Sequence, residues 1–151
     1  MKLIINNKKA GFDYNLLKKE KFLAGIELLG IEVKLIKQKK VSIKNSYCKL
    51  INNNIYIFDM YISNSNISNT KFSPKRRRKL LLKKKEINQI KKQIKNLNLN
   101  IIPTEIVLNN RNFIKIKFFL AKSKKKYEKR NLLKIKYLDK ANIKKKSNYY
   151  T

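Results

Sequence analysis

The side chains best placed to do chemistry are cations that stand close together in the sequence. The segment SPKRRRKLLL, residues 73–82, contains three consecutive arginines, and each guanidinium is a planar fork of donors that matches a phosphate. Ser73 and Pro74 have the residue types of a helix N-cap and first turn, which predicts a helix start here or a few residues later. Backbone amides and the helix dipole would then also favour an anion. Phosphate binding is one interpretation, and a solvated, charged helix start is the alternative.

Another cationic segment, AKSKKKYEKR, spans residues 121–130. It interleaves lysine and arginine with Tyr127, an aromatic side chain that can stack on a nucleic-acid base. The alternative is a solvated tail that binds nothing. Cations and a stacking side chain in one segment indicate contact with a nucleic acid.

Residues needed for catalysis are scarce. The chain has no histidine, which removes the usual general base and the commonest transition-metal ligand. The single cysteine, Cys48, offers no internal disulfide and no zinc site, and we expect it to be a small strand residue. Glu27 and Glu32 are predicted to be a salt-bridge partner and a polar helix cap. We expect a protein that binds without catalysis, metal or cofactor; an RNA-processing enzyme is the alternative.

The charge of the whole chain indicates a polyanionic partner. It has 39 Lys and Arg against nine Asp and Glu, a formal net charge of +30 over 151 residues. Nucleic acid is the first candidate, and an anionic membrane surface is the competitor. No stretch approaches the roughly 20 apolar residues of a spanning helix, and residues 1–11 lack a signal-peptide pattern. We therefore expect a cytoplasmic, monomeric RNA-binding protein. Lysine-, asparagine- and isoleucine-rich composition is typical of AT-rich codon usage, so the five arginines are stronger evidence than individual lysines.

The elements that must position these cations are predicted to be mainly strands. Residues 22–33 indicate a curved strand that runs into a short helix near residues 32–37, and Gly25 and Gly30 mark a bend or a close backbone approach. Residues 45–51 and 55–63 predict a hairpin joined by asparagines that tolerate a left-handed turn. Asn100–Leu108 and residues 113–121 predict a second strand pair, with Lys115 and Lys117 on its outer face.

One long helix is predicted from apolar residues at helical spacing, namely Leu80, Ile87, Ile90, Ile94 and Leu97. Residues 64–72 are polar and are predicted to form a loop. About five strands with one long and one or two short embedded helices favour a small β-barrel of the oligonucleotide-binding type. We expect this barrel to span residues 1–130 and to be followed by a basic tail, residues 131–151, that is disordered or helical when bound.

Four blocks in order along the chain resemble the SsrA-binding protein (SmpB) family. They are NKKA at residues 7–10, AGIELLGIEVK at 24–34, SPKRRRKLLL at 73–82 and LAKSKKKYEKR at 120–130. The family's typical forms are N-[KR]-[KR]-A, EAGIxLxGxEVKS, DPxRxRKLLL and AKGKKxYDKR. This chain has Leu23 where the family has glutamate, lacks the histidine common near Phe12, and is about two residues longer at residues 15–21.

The resemblance implies a barrel that binds the tRNA-like part of transfer-messenger RNA and carries it to ribosomes stalled on messages without stop codons. There the tail is implied to enter the vacant mRNA channel next to the decoding centre. A structural ribosomal protein of similar charge is the alternative function.

The resemblance and the cationic segments together imply two sets of site residues. The RNA-binding set is Asn7, Lys8, Lys9, Lys34, Arg76, Arg77, Arg78, Lys79, Leu81, Lys115, Lys122, Lys124 and Lys125. The tail set, directed at the ribosome, is Glu128, Lys129, Arg130, Lys140 and Ile143, with Ile143 as an apolar contact.

Overall fold

The computed structural model describes residues 1–63 and 73–148, so the predicted loop at residues 64–72 and the end of the tail lie outside the described residues. The strands are β1 (Lys2–Asn6), β2 (Tyr14–Ile26), β3 (Val41–Ser42), β4 (Tyr47–Ile51), β5 (Asn54–Phe58), β6 (Tyr61–Ile62), β7 (Arg78–Leu81), β8 (Asn100–Leu108) and β9 (Ile114–Ser123). The helices are α1 (Lys8–Asp13), α2 (Gly30–Lys37), α3 (Lys84–Leu97) and α4 (Lys126–Asn148).

Six strands close into a barrel in the order β8-β4-β5-β7-β2-β9, because β9 pairs back onto β8. Closure leaves no open sheet edge in the ring, which removes a template for unwanted strand pairing. The short strand β1 joins the far end of β8, where Lys2 pairs with Leu108. β3 and β6 form a separate two-stranded ribbon. The predicted small, mainly β barrel is therefore confirmed.

The core side chains of β9 follow from alternation along that strand. In β9, Ile114, Ile116, Phe118 and Leu120 are buried while Lys115 and Lys117 are partly exposed. Each fully buried side chain of this size contributes about 1.5–3 kcal/mol from removal of its surface from water. The helix α3 packs against the same core through Ile90 and Ile94.

The predicted start of the long helix is wrong. Ser73 and Pro74 belong to a turn, in which the Arg76 amide donates to the Ser73 carbonyl at 3.2 Å. Residues 78–81 then form β7, because Leu80 turns into the barrel and pairs with Ile55 of β5. The helix begins at Lys84 instead, and the Glu86 carboxylate caps it by accepting from the Lys83 amide at 2.8 Å. The arginines therefore do not lie at a helix start.

The hairpin is confirmed, with a difference at its end. Asn52 and Asn53 adopt positive φ angles of 46° and 58°, as the predicted left-handed turn requires. The second predicted strand ends early, because Asp59 also has a positive φ, of 54°, and this bend separates β5 from β6.

Two features of β2 shape the barrel surface. Gly25 confirms the predicted close approach, since a Cβ there would lie 3.2 Å from Leu81 Cβ. Between Leu16 and Lys21, five steps along β2 match only two along β9, which is a β-bulge. This bulge falls within residues 15–21, the segment that is longer than the family pattern.

Candidate nucleic-acid interface

The register of the barrel gathers predicted RNA-binding residues around Gly25. Gly25 of β2 pairs with Leu81 of β7 on one side and with Lys115 of β9 on the other. Side chains of directly paired residues share one face of a sheet, so all three positions face outward together. Because Gly25 has no side chain, Leu81 can pack closely over it, with Leu81 Cβ 3.2 Å and Cδ1 3.5 Å from the position that a Cβ would take.

A groove of about 940 Å³ is lined by both Leu81 and Lys115 and runs to the start of α3. Leu23 and Leu81 supply apolar surface, and Leu81 is 54% exposed. The cations that line the groove are Lys79, Lys83, Lys84 and Lys115. Its one carboxylate, Glu86, is engaged in capping α3. Cations around an exposed apolar floor suit a nucleic-acid strand, whose phosphates the lysines attract while sugar or base packs on leucine.

Arg78 is not available to RNA, which corrects its predicted role. Its side chain is 0% exposed and forms an ion pair with Glu32, with Nη2 at 2.7 Å from Oε1. The Nε group donates to the same oxygen, and the remaining donors reach the backbone carbonyls of Met60, Arg76 and Pro74. All five guanidinium N–H groups are therefore used inside the protein.

The side chains of Arg76 and Arg77 have different partners. Arg76 donates from Nε and Nη2 to both oxygens of Glu32, at 2.9 and 2.6 Å, and is partly exposed. Arg77 is exposed and lies over the ring of Tyr56, with Cζ 5.6 Å from the ring centroid. The sequence predicts phosphate binding by all three arginines, but of the three only Arg77 has a guanidinium that is not committed to Glu32.

Glu32 holds two arginines and a helix at once. Its Oε2 also accepts from the Leu29 amide at 2.9 Å, which caps α2. The helix cap predicted for Glu32 is therefore confirmed, and Glu32 also forms the ion pairs with Arg76 and Arg78. In the part of the chain that the structure describes, no ion pair involves Glu27, the predicted salt-bridge partner. Burial alone would raise the pKa of this carboxyl, but hydrogen bonds from Arg76, Arg78 and Leu29 outweigh burial and hold the pKa below its ordinary value.

This lowered pKa predicts an acid-sensitive fold. A carboxylate stabilised in the folded state contributes stability that is complete above its unfolded pKa, 4.5, and is lost as the pH falls through the lower folded pKa. The thermal-unfolding midpoint is expected to fall steadily as the pH is lowered from 4.5. The E32Q variant should show a flatter pH dependence over that range, and identical slopes for the two proteins would contradict the assignment.

Asn7 has a structural role in place of the predicted RNA contact. It is buried, its Nδ2 donates to the carbonyls of Ile43 at 2.9 Å and Pro103 at 3.2 Å, and its Oδ1 accepts from the Ala10 amide at 3.3 Å. The last bond caps α1, a helix that the sequence patterns missed. Asn7 thereby fixes the helix that presents the exposed Lys8 and Lys9.

The tail begins as a helix docked on α1. The Lys124 amide donates to the Asp13 carbonyl at 3.1 Å, and its Nζ donates to the Gly11 carbonyl at 2.8 Å. Lys129 forms an ion pair with Asp13 at 3.1 Å, and Lys136 Nζ lies 4.9 Å from the Phe12 ring centroid. These contacts give the base of α4 a fixed direction relative to the barrel.

The other predicted tail residues are distributed along α4. Glu128 caps the helix by accepting from the Lys125 amide at 2.8 Å. Arg130, Lys140 and Ile143 are exposed. The tail is helical although no partner is bound, whereas the prediction expected a helix only in the bound state. The predicted domain boundary at residue 130 falls inside α4. Lys34, Lys122 and Lys125 are exposed on α2, β9 and the loop before α4.

Cys48 is buried in β4, as predicted, and burial raises the pKa of its thiol, which opposes formation of a reactive thiolate.

No group of three or more Cys, Asp or Glu side chains in the described ranges is placed to hold a metal. Across residues 1–63 and 73–148, no helix is sufficiently long and apolar to cross a membrane.

Known proteins share both the sequence and the fold. The family model described as SmpB protein matches residues 4–148. An SsrA-binding protein of Thermosipho africanus is 42% identical over 137 residues, which cover 89% of each chain. One of Sulfurovum sp. is 38% identical over 139 residues, covering 91% of this chain and 90% of its own. A solved structure described as tmRNA-SmpB in the bacterial ribosome superposes with a TM-score of 0.66 at 32% identity, covering 81% of this chain and 85% of the other.

Proposed function

The chain belongs to the SmpB protein family, and on that premise we propose that it binds the tRNA-like domain of transfer-messenger RNA and delivers this RNA to stalled ribosomes. The observation that carries the proposal is the groove lined by Leu81 and Lys115. Leu81 and Lys115 match family positions on the RNA face, pair with Gly25 from its two sides, and both line this groove. The relatives are named for binding SsrA RNA, and the matching solved structure places such a protein with its RNA in the ribosome.

The groove would hold the RNA by charge and shape. Lys79, Lys83, Lys84 and Lys115 can each neutralise a phosphate and release a counterion, so binding should weaken steeply with salt. The α1 surface, defined here by Lys8, Lys9, Lys122, Lys124 and Lys125, adds further positive charge where the tail leaves the barrel. Arg77 and Lys34 extend the basic surface beyond the groove.

The tail would supply the ribosome contact. Beyond its docked first turns, α4 exposes lysines together with apolar residues such as Leu138 and Ile143. A basic helix of this kind is suited to an RNA-walled channel, and we assign it to the vacant mRNA path beside the decoding centre. The barrel would thus hold one RNA while the tail probes another. In this role the protein is a cytoplasmic, monomeric binding factor and catalyses no reaction itself.

A reconstituted translation system tests the function. A message without a stop codon is translated with transfer-messenger RNA, in the presence or absence of this protein. We expect the degradation tag on the stalled chain only when the protein is present. Equal tagging without the protein would refute the proposal. One copy in every ribosome, stalled or not, would support the structural ribosomal protein instead.

Replacing one lysine of the groove should lower both the affinity for RNA and the dependence of that affinity on salt. Lys115→Ala is expected to lower affinity for transfer-messenger RNA roughly fivefold to tenfold and to reduce the slope of log affinity against log salt by about one. Lys92→Ala is the matched control, because Lys92 is an exposed lysine of α3 that does not line the groove. Filter binding across a salt series measures both quantities. Equal losses in the two variants would show that only the total charge matters.

A further inference from the structure

The outer face of the β4–β5 hairpin carries aromatic side chains beside cations. In the strand register Tyr47 pairs with Phe58, and Lys49 pairs with Tyr56. Tyr56 also pairs with Lys79 on the neighbouring strand β7. Paired residues share a face, and Cys48, Ile55 and Ile57 take the inward positions. The aromatic residues therefore lie on the outside of the barrel.

These side chains already form stacked arrangements. The rings of Tyr47 and Phe58 lie 5.5 Å apart between centroids and are inclined by 11°. Lys49 Nζ lies 5.4 Å from the Tyr47 centroid, and Arg77 Cζ lies 5.6 Å from the Tyr56 centroid. The three rings are only partly buried, and Lys49 and Arg77 are exposed. Partly exposed rings with cations over them are suited to stacking on planar, electron-rich partners.

The cations of this face are free of carboxylates. Among the ion pairs of the described residues, none involves Lys49, Arg77 or Lys79. Arg76 and Arg78, on either side of Arg77, are both committed to Glu32. The contrast shows that Arg77 is not needed for the ion pairs that hold the fold. Its positive charge remains available to a ligand.

We propose that this face, defined by Tyr47, Lys49, Tyr56, Phe58 and Arg77, binds unpaired nucleotides of RNA. Bases would stack on the Tyr47 and Tyr56 rings and on the Arg77 guanidinium, while Lys49 and Lys79 neutralise the flanking phosphates. Lys79 also lines the groove that contains Leu81 and Lys115, so the two surfaces adjoin. A single strand leaving a structured RNA held in the groove would reach this face directly. The inference goes beyond the proposed function, because it concerns single-stranded RNA of any origin.

The test uses the full chain and a fluorescently labelled, unstructured RNA of about ten nucleotides. The double variant Tyr47→Leu, Tyr56→Leu keeps a smaller apolar side chain at each position but removes both stacking rings. Since each lost stacking contact lowers affinity at least about fivefold, loss of both rings is expected to lower affinity for the oligomer at least about 25-fold. Phe113→Leu is the matched control, because Phe113 is an exposed aromatic residue in the turn before β9. Its affinity is expected to stay within about twofold of the wild type.

Arg77 gives a second, independent measurement that does not disturb the barrel. Arg77→Lys keeps the charge but loses the planar group, so affinity should fall while the salt slope stays unchanged. Arg77→Ala should lower both affinity and slope. Equal binding of wild type and the double tyrosine variant, or equal competition by a duplex of the same length, would overturn the proposal. If the wild-type protein bound the oligomer but not transfer-messenger RNA, the result would count against the proposed function alone.

Discussion

Glu32→Gln is expected to lower the free energy of unfolding by about 3–5 kcal/mol. The substitution leaves Arg78 charged, fully buried and without a carboxylate, since its remaining partners are backbone carbonyls. It also weakens the hold of Arg76 and the cap on α2. Urea denaturation followed by circular dichroism measures the change.

A surface ion pair provides the control for this variant. Glu105 pairs with Lys117 between β8 and β9, and both side chains keep some exposure. Glu105→Gln is expected to cost about 1 kcal/mol or less, because water screens such a pair. If Glu32→Gln lowered the free energy of unfolding no more than Glu105→Gln, the buried cluster of Glu32, Arg76 and Arg78 would not stabilise the fold as the geometry indicates.

Deleting residues 131–151 is expected to leave transfer-messenger RNA binding nearly intact and to abolish tagging on stalled ribosomes. The groove lies wholly on the barrel and the start of α3, so the deletion removes none of its lining residues. The deletion does remove the exposed part of α4, including Lys140 and Ile143. Affinity measurements and the reconstituted tagging assay, performed on the same preparation, separate the two effects.

A single substitution refines the deletion experiment. Ile143→Asp keeps the helix in place but replaces an exposed apolar residue with a charge that an RNA-walled channel repels. Tagging is expected to fall while RNA affinity stays within about twofold. Loss of transfer-messenger RNA binding in the truncated protein, before any loss of tagging, would contradict the division between barrel and tail.

Local patterns predict much of this fold because they need no knowledge of distant residues. Alternation of lysine with apolar residues identifies β9, and the asparagine turn identifies the hairpin of β4 and β5. The start of α3 could not be predicted in the same way. The sequence around Ser73 and Pro74 has the residue types of a helix start. Burial of Leu80 in the barrel beside Ile55 stabilises the chain more than a helix would there. Tertiary packing overrides the local preference there.

The candidate site depends on contacts between residues far apart in the chain. Family resemblance identifies Leu81 and Lys115, but only the strand register shows that both face Gly25. Resemblance also selects Asn7, and the run of three arginines selects Arg78, but no single-sequence pattern reveals that both are buried. The salt bridge is predicted at Glu27, whereas Glu32, one of few acidic residues, is predicted only to cap a helix. Its partner lies 46 residues away, and the sequence does not say which arginine it is.

The most direct test of the proposed function compares two RNAs in competition for the wild-type protein at moderate salt. Labelled transfer-messenger RNA is displaced with unlabelled transfer-messenger RNA or with an ordinary tRNA. The groove and the family relationship predict that the first competitor displaces the label at much lower concentration than the second. Equal competition by the two RNAs would mean that the charge of +30 binds any folded RNA, and it would contradict the proposed function.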